Sequence, residues 1–119
     1  MPEVPQTLSK IERLSGQAAV SALMSKGRWS HSTHFRFCVK DENGLDLNRI
    51  IVSVPKRNFK RAVKRNLLKR RIREAYRTQK SLVGRVGLDI LFVYNSTEIL
   101  SSEEIRTEIG EILASVGER

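Results

Sequence analysis

The chain has 119 residues, enough for one domain with a modest single core and too few to expect a second. Its formal net charge of +9 favours a polyanionic partner, and its single cysteine, Cys38, excludes an internal disulfide and a cysteine-rich zinc site. No apolar run approaches a membrane span and Met1–Leu8 has no apolar signal core, so the expectation is a reduced, cytoplasmic protein with no membrane partner.

Residues 1–14 read as a flexible lead-in in which Pro2 and Pro5 discourage regular structure, and 15–119 as one domain. Ser9-Lys10-Ile11-Glu12 matches a capping box but has little apolar periodicity behind it. Ser15 is the better helix start: Ala19, Val20, Leu23 and Met24 then share one face, and Gly27 stands where the helix should end. Arg28–Ser30 reads as a short edge strand. His34–Val39 alternates, with Phe35, Phe37 and Val39 on one side and Arg36 and Cys38 on the other. Asp41–Asn48, with Gly44, reads as a turn. Ile50–Val54 is the next strand, with Val52 and Val54 inward, and Pro55 ends it.

A basic helix follows. Leu68, Ile72, Ala75 and Tyr76 are spaced i, i+4, i+7, i+8, which makes one buried stripe with cationic flanks. Val63 and Leu67 lie off that stripe; either the helix begins near Ala62 with Val63 packing at its entry, or a second face is covered. Gly84 and Gly87 mark a loop, and Leu88–Tyr94 reads as a strand buried on both faces. Ser101 and Glu104 form a capping box ahead of a last amphipathic helix carrying Ile105, Ile109, Ile112, Leu113 and Val116. Phe35, Phe37, Val52, Val54, Ile90 and Phe92 read as core. The order αβββαβα predicts an α+β sandwich of one sheet and packed helices.

The charge is concentrated. Lys56–Arg77 holds eleven of the 22 basic residues and only one of the 13 acidic ones, Glu74, so that window carries +10 and the remainder −1. A charge run is commonly a solvated helix face. Here, however, only Glu74 can pair locally, with Arg70, Arg71 or Arg77, and unpaired like charges destabilise a helix unless a partner compensates them. Arginine forks phosphates bidentately, lysine acts as a point charge, and each neutralised phosphate releases counterions. Asn66 among them can donate and accept toward base edges or sugars. A membrane-surface or protein-binding helix is the lesser reading, because the apolar stripe lacks the bulky residues that insertion needs.

Val54-Pro55-Lys56-Arg57-Asn58-Phe59-Lys60-Arg61-Ala62-Val63-Lys64-Arg65-Asn66-Leu67-Leu68-Lys69-Arg70-Arg71-Ile72-Arg73-Glu74-Ala75-Tyr76-Arg77 resembles the signature of the bacterial ribonuclease P protein family. That signature has basic residues after a strand, an Ala-centred loop, an Arg-Asn-Arg core, Lys-Arg, and an Arg-Glu-x-x-Arg helix. The resemblance implies a ribosomal-protein-like α+β sandwich with a left-handed βαβ crossover, against the usual right-handed rule. It implies an accessory protein to a catalytic RNA that hydrolyses precursor tRNA to leave a mature 5′ end. Mg2+ held mainly by the RNA serves that reaction, and no protein residue is catalytic. Carried over by position, Arg65, Asn66, Lys69, Arg70 and Arg73 face the catalytic RNA, with Arg61 as a further candidate. A cleft between the first helix and the sheet is implied to hold the single-stranded 5′ leader, with Lys56 and Arg57 at its junction with the docking surface.

The chain departs from the pattern at several positions. Leu67 replaces the third member of the Arg-Asn-Arg core. Val20, Met24 and Cys38 stand where aromatic rings are usual, and Asn95 where a basic residue is common. Stacking of bases on rings contributes about 1–3 kcal/mol per base. A cleft formed by Val20, Met24, Arg36, Cys38, Lys56 and Arg57 is therefore expected to stack weakly and to rely on its cations. Trp29 could supply a ring to this cleft, but core packing or a partly exposed loop position is the leading expectation. The alternative function is a general structured-RNA-binding or ribosome-associated protein. His31 and His34 read as ordinary surface histidines, and Asp41, Glu42 and Asp46 as an acidic turn without calcium-loop spacing.

Overall fold

The computed structural model describes Leu8 and residues 12–118. In chain order it contains α1 (Gln17–Lys26), β1 (Arg28–His31), β2 (Phe35–Lys40), β3 (Arg49–Ser53), α2 (Ala62–Gln79), a 3-10 turn (Lys80–Val83), β4 (Asp89–Tyr94) and α3 (Ser102–Gly117). This is the order read from the sequence, with strand limits moved by about one residue. The four strands form one sheet in the order β1-β2-β4-β3. β4 pairs antiparallel with β2 and parallel with β3. A parallel neighbour cannot be reached by a tight turn, so the chain crosses over between β3 and β4, and α2 is that crossover.

Strand alternation sorts side chains onto two faces. Phe35, Phe37, Val39, Ile50, Val52, Ile90, Phe92 and Tyr94 form the main core with Leu68, Ile72, Ala75 and Tyr76 of α2 and the apolar face of α3. α2 starts at Ala62, but Val63 is 79% exposed and so is not packed at the helix entry as one reading had it. The Ser101–Glu104 capping box of α3 is present on both sides. Tyr94 closes this core at one end: its hydroxyl accepts from the Leu100 amide at 3.1 Å and donates to the Glu98 carbonyl.

The N-terminal expectations need correction. α1 has Gly16 as its N-cap, with φ of 93° and no side-chain cap, so the helix starts one residue past the reading from Ser15. The lead-in is not loose at its end. Arg13 bridges Ile50 of β3, the Leu14 amide donates to the Ile50 carbonyl at 2.7 Å, and Lys80 holds Glu12 at 2.9 Å. Leu8 also packs against the main core. Pro2, Pro5 and the first three residues of the Ser9–Glu12 motif lie outside the described residues.

On the second face α1 lies over part of the sheet. Leu23 of α1 packs with Leu14, Cys38 and Leu91 in a small second cluster. Gly27 makes this approach possible: a Cβ there would sit 2.4 Å from Cys38 Sγ and 2.5 Å from the Leu23 carbonyl oxygen. At one edge of this face Asp89, buried, accepts from Arg49 Nε and Nη2 at 2.8 Å each and from the Asn43 amide at 3.0 Å. The same Asn43 amide also donates to the Leu47 and Leu88 carbonyls and so fastens the Asp41–Asn48 turn.

Candidate nucleic-acid interface

Because Leu68, Ile72, Ala75 and Tyr76 are fixed inward, helical geometry dictates what faces out. Asn66, Arg70, Arg73 and Arg77 fall at i, i+4, i+7 and i+11 on the opposite side of α2. Asn66 and Arg70 are exposed, and Arg73 is half-buried. Burial, and then the nearby positive charge of Arg13, hold the Arg73 guanidinium below the ordinary arginine range. Arg13 therefore adds a cation to this side that the window Lys56–Arg77 did not include. Arg77 is tempered by hydrogen bonds to Glu74 across one helical turn.

The other predicted docking residues sit elsewhere. Arg65 turns back onto the loop before the helix, where its Nη1 donates to the Phe59 and Lys60 carbonyls at 2.7 and 2.8 Å. Arg61 is exposed at the N-cap of α2. Lys69 lies between the outer stripe and the sheet and faces a groove. Arg71, within the basic run, spans to the Leu100 carbonyl at 2.6 Å and so ties α2 to the approach of α3.

The groove follows from the sheet register. One cross-strand row on the second face is Trp29–Cys38–Leu91–Ile51, and the next is His31–Arg36–Val93–Ser53. α1 covers the middle of the first row and leaves the second open. The resulting groove of about 500 Å3 is walled by Val20 and Met24 of α1, floored by Arg36 and Val93, and bounded by Arg57 and Lys69. Val20, Met24, Arg36 and Arg57 are thus brought together as expected. Cys38 is not with them. It is fully buried beneath Leu23, its Sγ donates to the Leu23 carbonyl at 3.3 Å, and burial pushes its thiol up from the ordinary cysteine range. Lys56 is exposed on the turn after β3 and does not line the groove.

Trp29 is partly exposed, as one expectation had it, but on a strand and not in a loop. It sits on edge strand β1, 39% exposed, and lines the groove. The Arg36 guanidinium lies 4.7 Å from its ring centroid, and its Nε1–H donates to the Met24 carbonyl at 3.2 Å. The sequence held the signal, since alternation from Arg28 puts Trp29 on the same side as Cys38.

A buried carboxylate was not foreseen. Glu108 of α3 accepts from the His34 amide at 2.7 Å and from the Ser32 hydroxyl, and pairs with His34 Nδ1 at 2.7 Å. This clasps the β1–β2 turn to α3. His34 is therefore partnered rather than a free surface histidine. Among the described residues no three His, Cys, Asp or Glu side chains are grouped to hold a metal, and no helix is long and apolar enough to cross a membrane.

The profile of the Ribonuclease P family matches residues 8–117. The chain is 37% identical over 87 residues to the ribonuclease P protein component of Psychrobacter sp., covering 72% of this chain and 65% of that one. It is 31% identical over 107 residues to that of Syntrophus aciditrophicus, covering 90% and 88%. The alignment thus spans just under two thirds of the Psychrobacter relative and most of the Syntrophus one. The solved ribonuclease P protein of Thermotoga maritima superposes with a TM-score of 0.77 over 87% of this chain and 96% of its own, at 24% identity, a likeness of fold.

Proposed function

Since the chain belongs to the Ribonuclease P family, we propose that it is the protein subunit of a bacterial ribonuclease P ribonucleoprotein, in which it binds the catalytic RNA and the 5′ leader of precursor tRNA. The observation that carries this reading is the adjacency of two surfaces. An outward cationic stripe on α2 meets, at Lys69, a groove that is apolar along its walls and cationic at its rim. A stripe of Asn66, Arg70 and Arg73 beside Arg13 suits a folded RNA with closely spaced phosphates. A groove that mixes Val20, Met24 and Val93 with Arg36, Arg57 and Lys69 suits a single strand, whose bases bury apolar area while its phosphates meet charge.

In this reading the protein holds the substrate, and the RNA performs the endonucleolytic hydrolysis that leaves the mature tRNA 5′ end. Mg2+, held mainly by the RNA, would supply the activation of water and the stabilisation of the leaving oxygen. The protein's contribution is electrostatic and positional: cations on α2 offset the repulsion between two RNAs, and the groove fixes the leader so that the scissile phosphate sits at the RNA's reactive centre. The cellular compartment of this assembly is the cytoplasm.

The test is reconstitution with a bacterial ribonuclease P RNA at low magnesium. Cleavage of precursor tRNA should be strongly stimulated by the protein and by steeply salt-dependent assembly. No stimulation with the matching RNA overturns the reading. Equal binding to any structured RNA, with no effect on processing, would instead make this a general RNA-binding protein.

A further inference from the structure

The groove does not end at Arg36. A second concavity of about 440 Å3 adjoins it, lined by Ser30, His31, Ser32, Thr33 and Asn95. Trp29 and Arg36 line both spaces, so this pair is the partition between them. The two spaces differ in chemistry. The groove is apolar-walled with cationic edges, whereas the second concavity is rimmed by hydroxyl, imidazole and carboxamide groups that donate and accept hydrogen bonds.

We propose that Trp29 and Arg36 form a stacking site for one unpaired nucleobase at this partition, and that Asn95 and the Ser30–Thr33 turn border the edge of that base. This rests on the reading of the groove as a path for single-stranded RNA and extends that path by one subsite. Three observations carry it. Trp29 keeps its indole partly in solvent on an edge strand, where core packing would have buried it. The ring is not loose: its Nε1–H is held by the Met24 carbonyl at the end of α1, so the orientation is set before any ligand arrives. Arg36 stands 4.7 Å from the ring centroid on an open row of the sheet, where a guanidinium can stack on a base or neutralise the adjoining phosphate. The site also accounts for the position of the ring. Cys38 is sealed under Leu23 and can offer nothing to a ligand, and Trp29, its cross-strand partner in β1, places an aromatic surface one strand further out.

Trp29 is the chain's one tryptophan, so its fluorescence reports on this site alone. The full-length protein is titrated with an unstructured adenosine dodecamer and with an abasic oligonucleotide of the same length. Adenosine RNA is expected to quench the emission saturably, while the abasic strand binds through its phosphates without matching the quench. Equal quenching by both strands, or binding of the adenosine RNA with no quenching, overturns the proposal. In the reconstituted complex, Trp29→Ala should weaken affinity for leader-bearing precursor tRNA by roughly 5- to 150-fold. Trp29→Phe should recover much of that loss, and affinity for leaderless tRNA should stay unchanged. A protein that favours leader-bearing substrate equally well with Trp29→Ala sinks the stacking site and leaves the groove reading intact. A wild-type protein that gives leader-bearing substrate no advantage sinks the groove reading itself.

Discussion

At the scale of single residues, position in a motif and role in the structure part company at Arg65 and Cys38. Arg65 sits in the motif's cationic core, yet its guanidinium is engaged by two carbonyls of the loop that leads into α2. It organises that loop, while Arg70 is exposed on the outer stripe, where the proposed function has it meet a phosphate. The two roles differ in salt dependence, because each phosphate contact contributes roughly 0.7–0.9 to the slope of log K against log salt. Arg70→Ala should therefore flatten the slope for catalytic-RNA binding by about that amount. Arg65→Ala should weaken binding with the slope nearly unchanged; equilibrium titrations over a range of potassium chloride decide it, and an equal loss of slope would make Arg65 a phosphate ligand. Cys38 gives a chemical check on the α1 face. Burial raises its pKa, so thiolate is suppressed in the folded protein. A thiol-specific reagent at mildly alkaline pH should leave the native protein unmodified and label it promptly once denaturant unfolds it.

At the scale of elements, α1 depends on its last contact and α3 on its first. A methyl at Gly27 collides with both Cys38 Sγ and the Leu23 carbonyl, so Gly27→Ala should cost about 1–3 kcal/mol in denaturant unfolding and push α1 off β2. Ser101→Ala removes the acceptor for the Glu104 amide and should cost about 1 kcal/mol at neutral pH. Hydrogen bonds from the Ser101 amide and hydroxyl hold the Glu104 carboxyl below its ordinary range. A depressed carboxyl contributes stability above its unfolded pKa and loses it as pH falls through the folded value, so the gap between wild type and Ser101→Ala should narrow in acid.

These elements also mark where sequence sufficed. Alternation in Phe35–Val39, the i, i+4, i+7, i+8 stripe of α2 and the capping box of α3 are local patterns, and each appears in the fold where expected. Three features depend on distant partners and have no local pattern: Arg13 with Ile50, Glu12 with Lys80, and Glu108 with the Ser32–His34 turn. Of the groove residues, Arg36 was legible from strand alternation, and Val20, Met24 and Arg57 only through the positions they occupy in the family resemblance. Cys38 was misplaced in the groove because strand alternation gives the face of a residue but not which row of that face α1 covers, and Leu23 lies over Cys38.

At the scale of the whole molecule, the sheet's polar edge carries weight that composition does not reveal. Asp89 is buried and faces Arg49, which is only partly exposed, so removing the carboxylate strands a cation against the sheet. Asp89→Ala should cost about 3 kcal/mol by chemical denaturation, at the lower end for a broken buried pair because Arg49 keeps some solvent. A near-normal midpoint would show that water compensates Arg49. The crossover topology has a further consequence. In the proposed function α2 is the surface offered to RNA, and it is also the main element on the covalent path between the parallel neighbours β3 and β4. It cannot leave the sheet without taking the main core apart, so RNA bound to its outer stripe is linked to global unfolding rather than to local fraying. Amide hydrogens of Ile90 and Phe92 in β4, whose side chains lie in the main core and not in the groove, should then exchange more slowly in the complex, and the slowing should track RNA concentration.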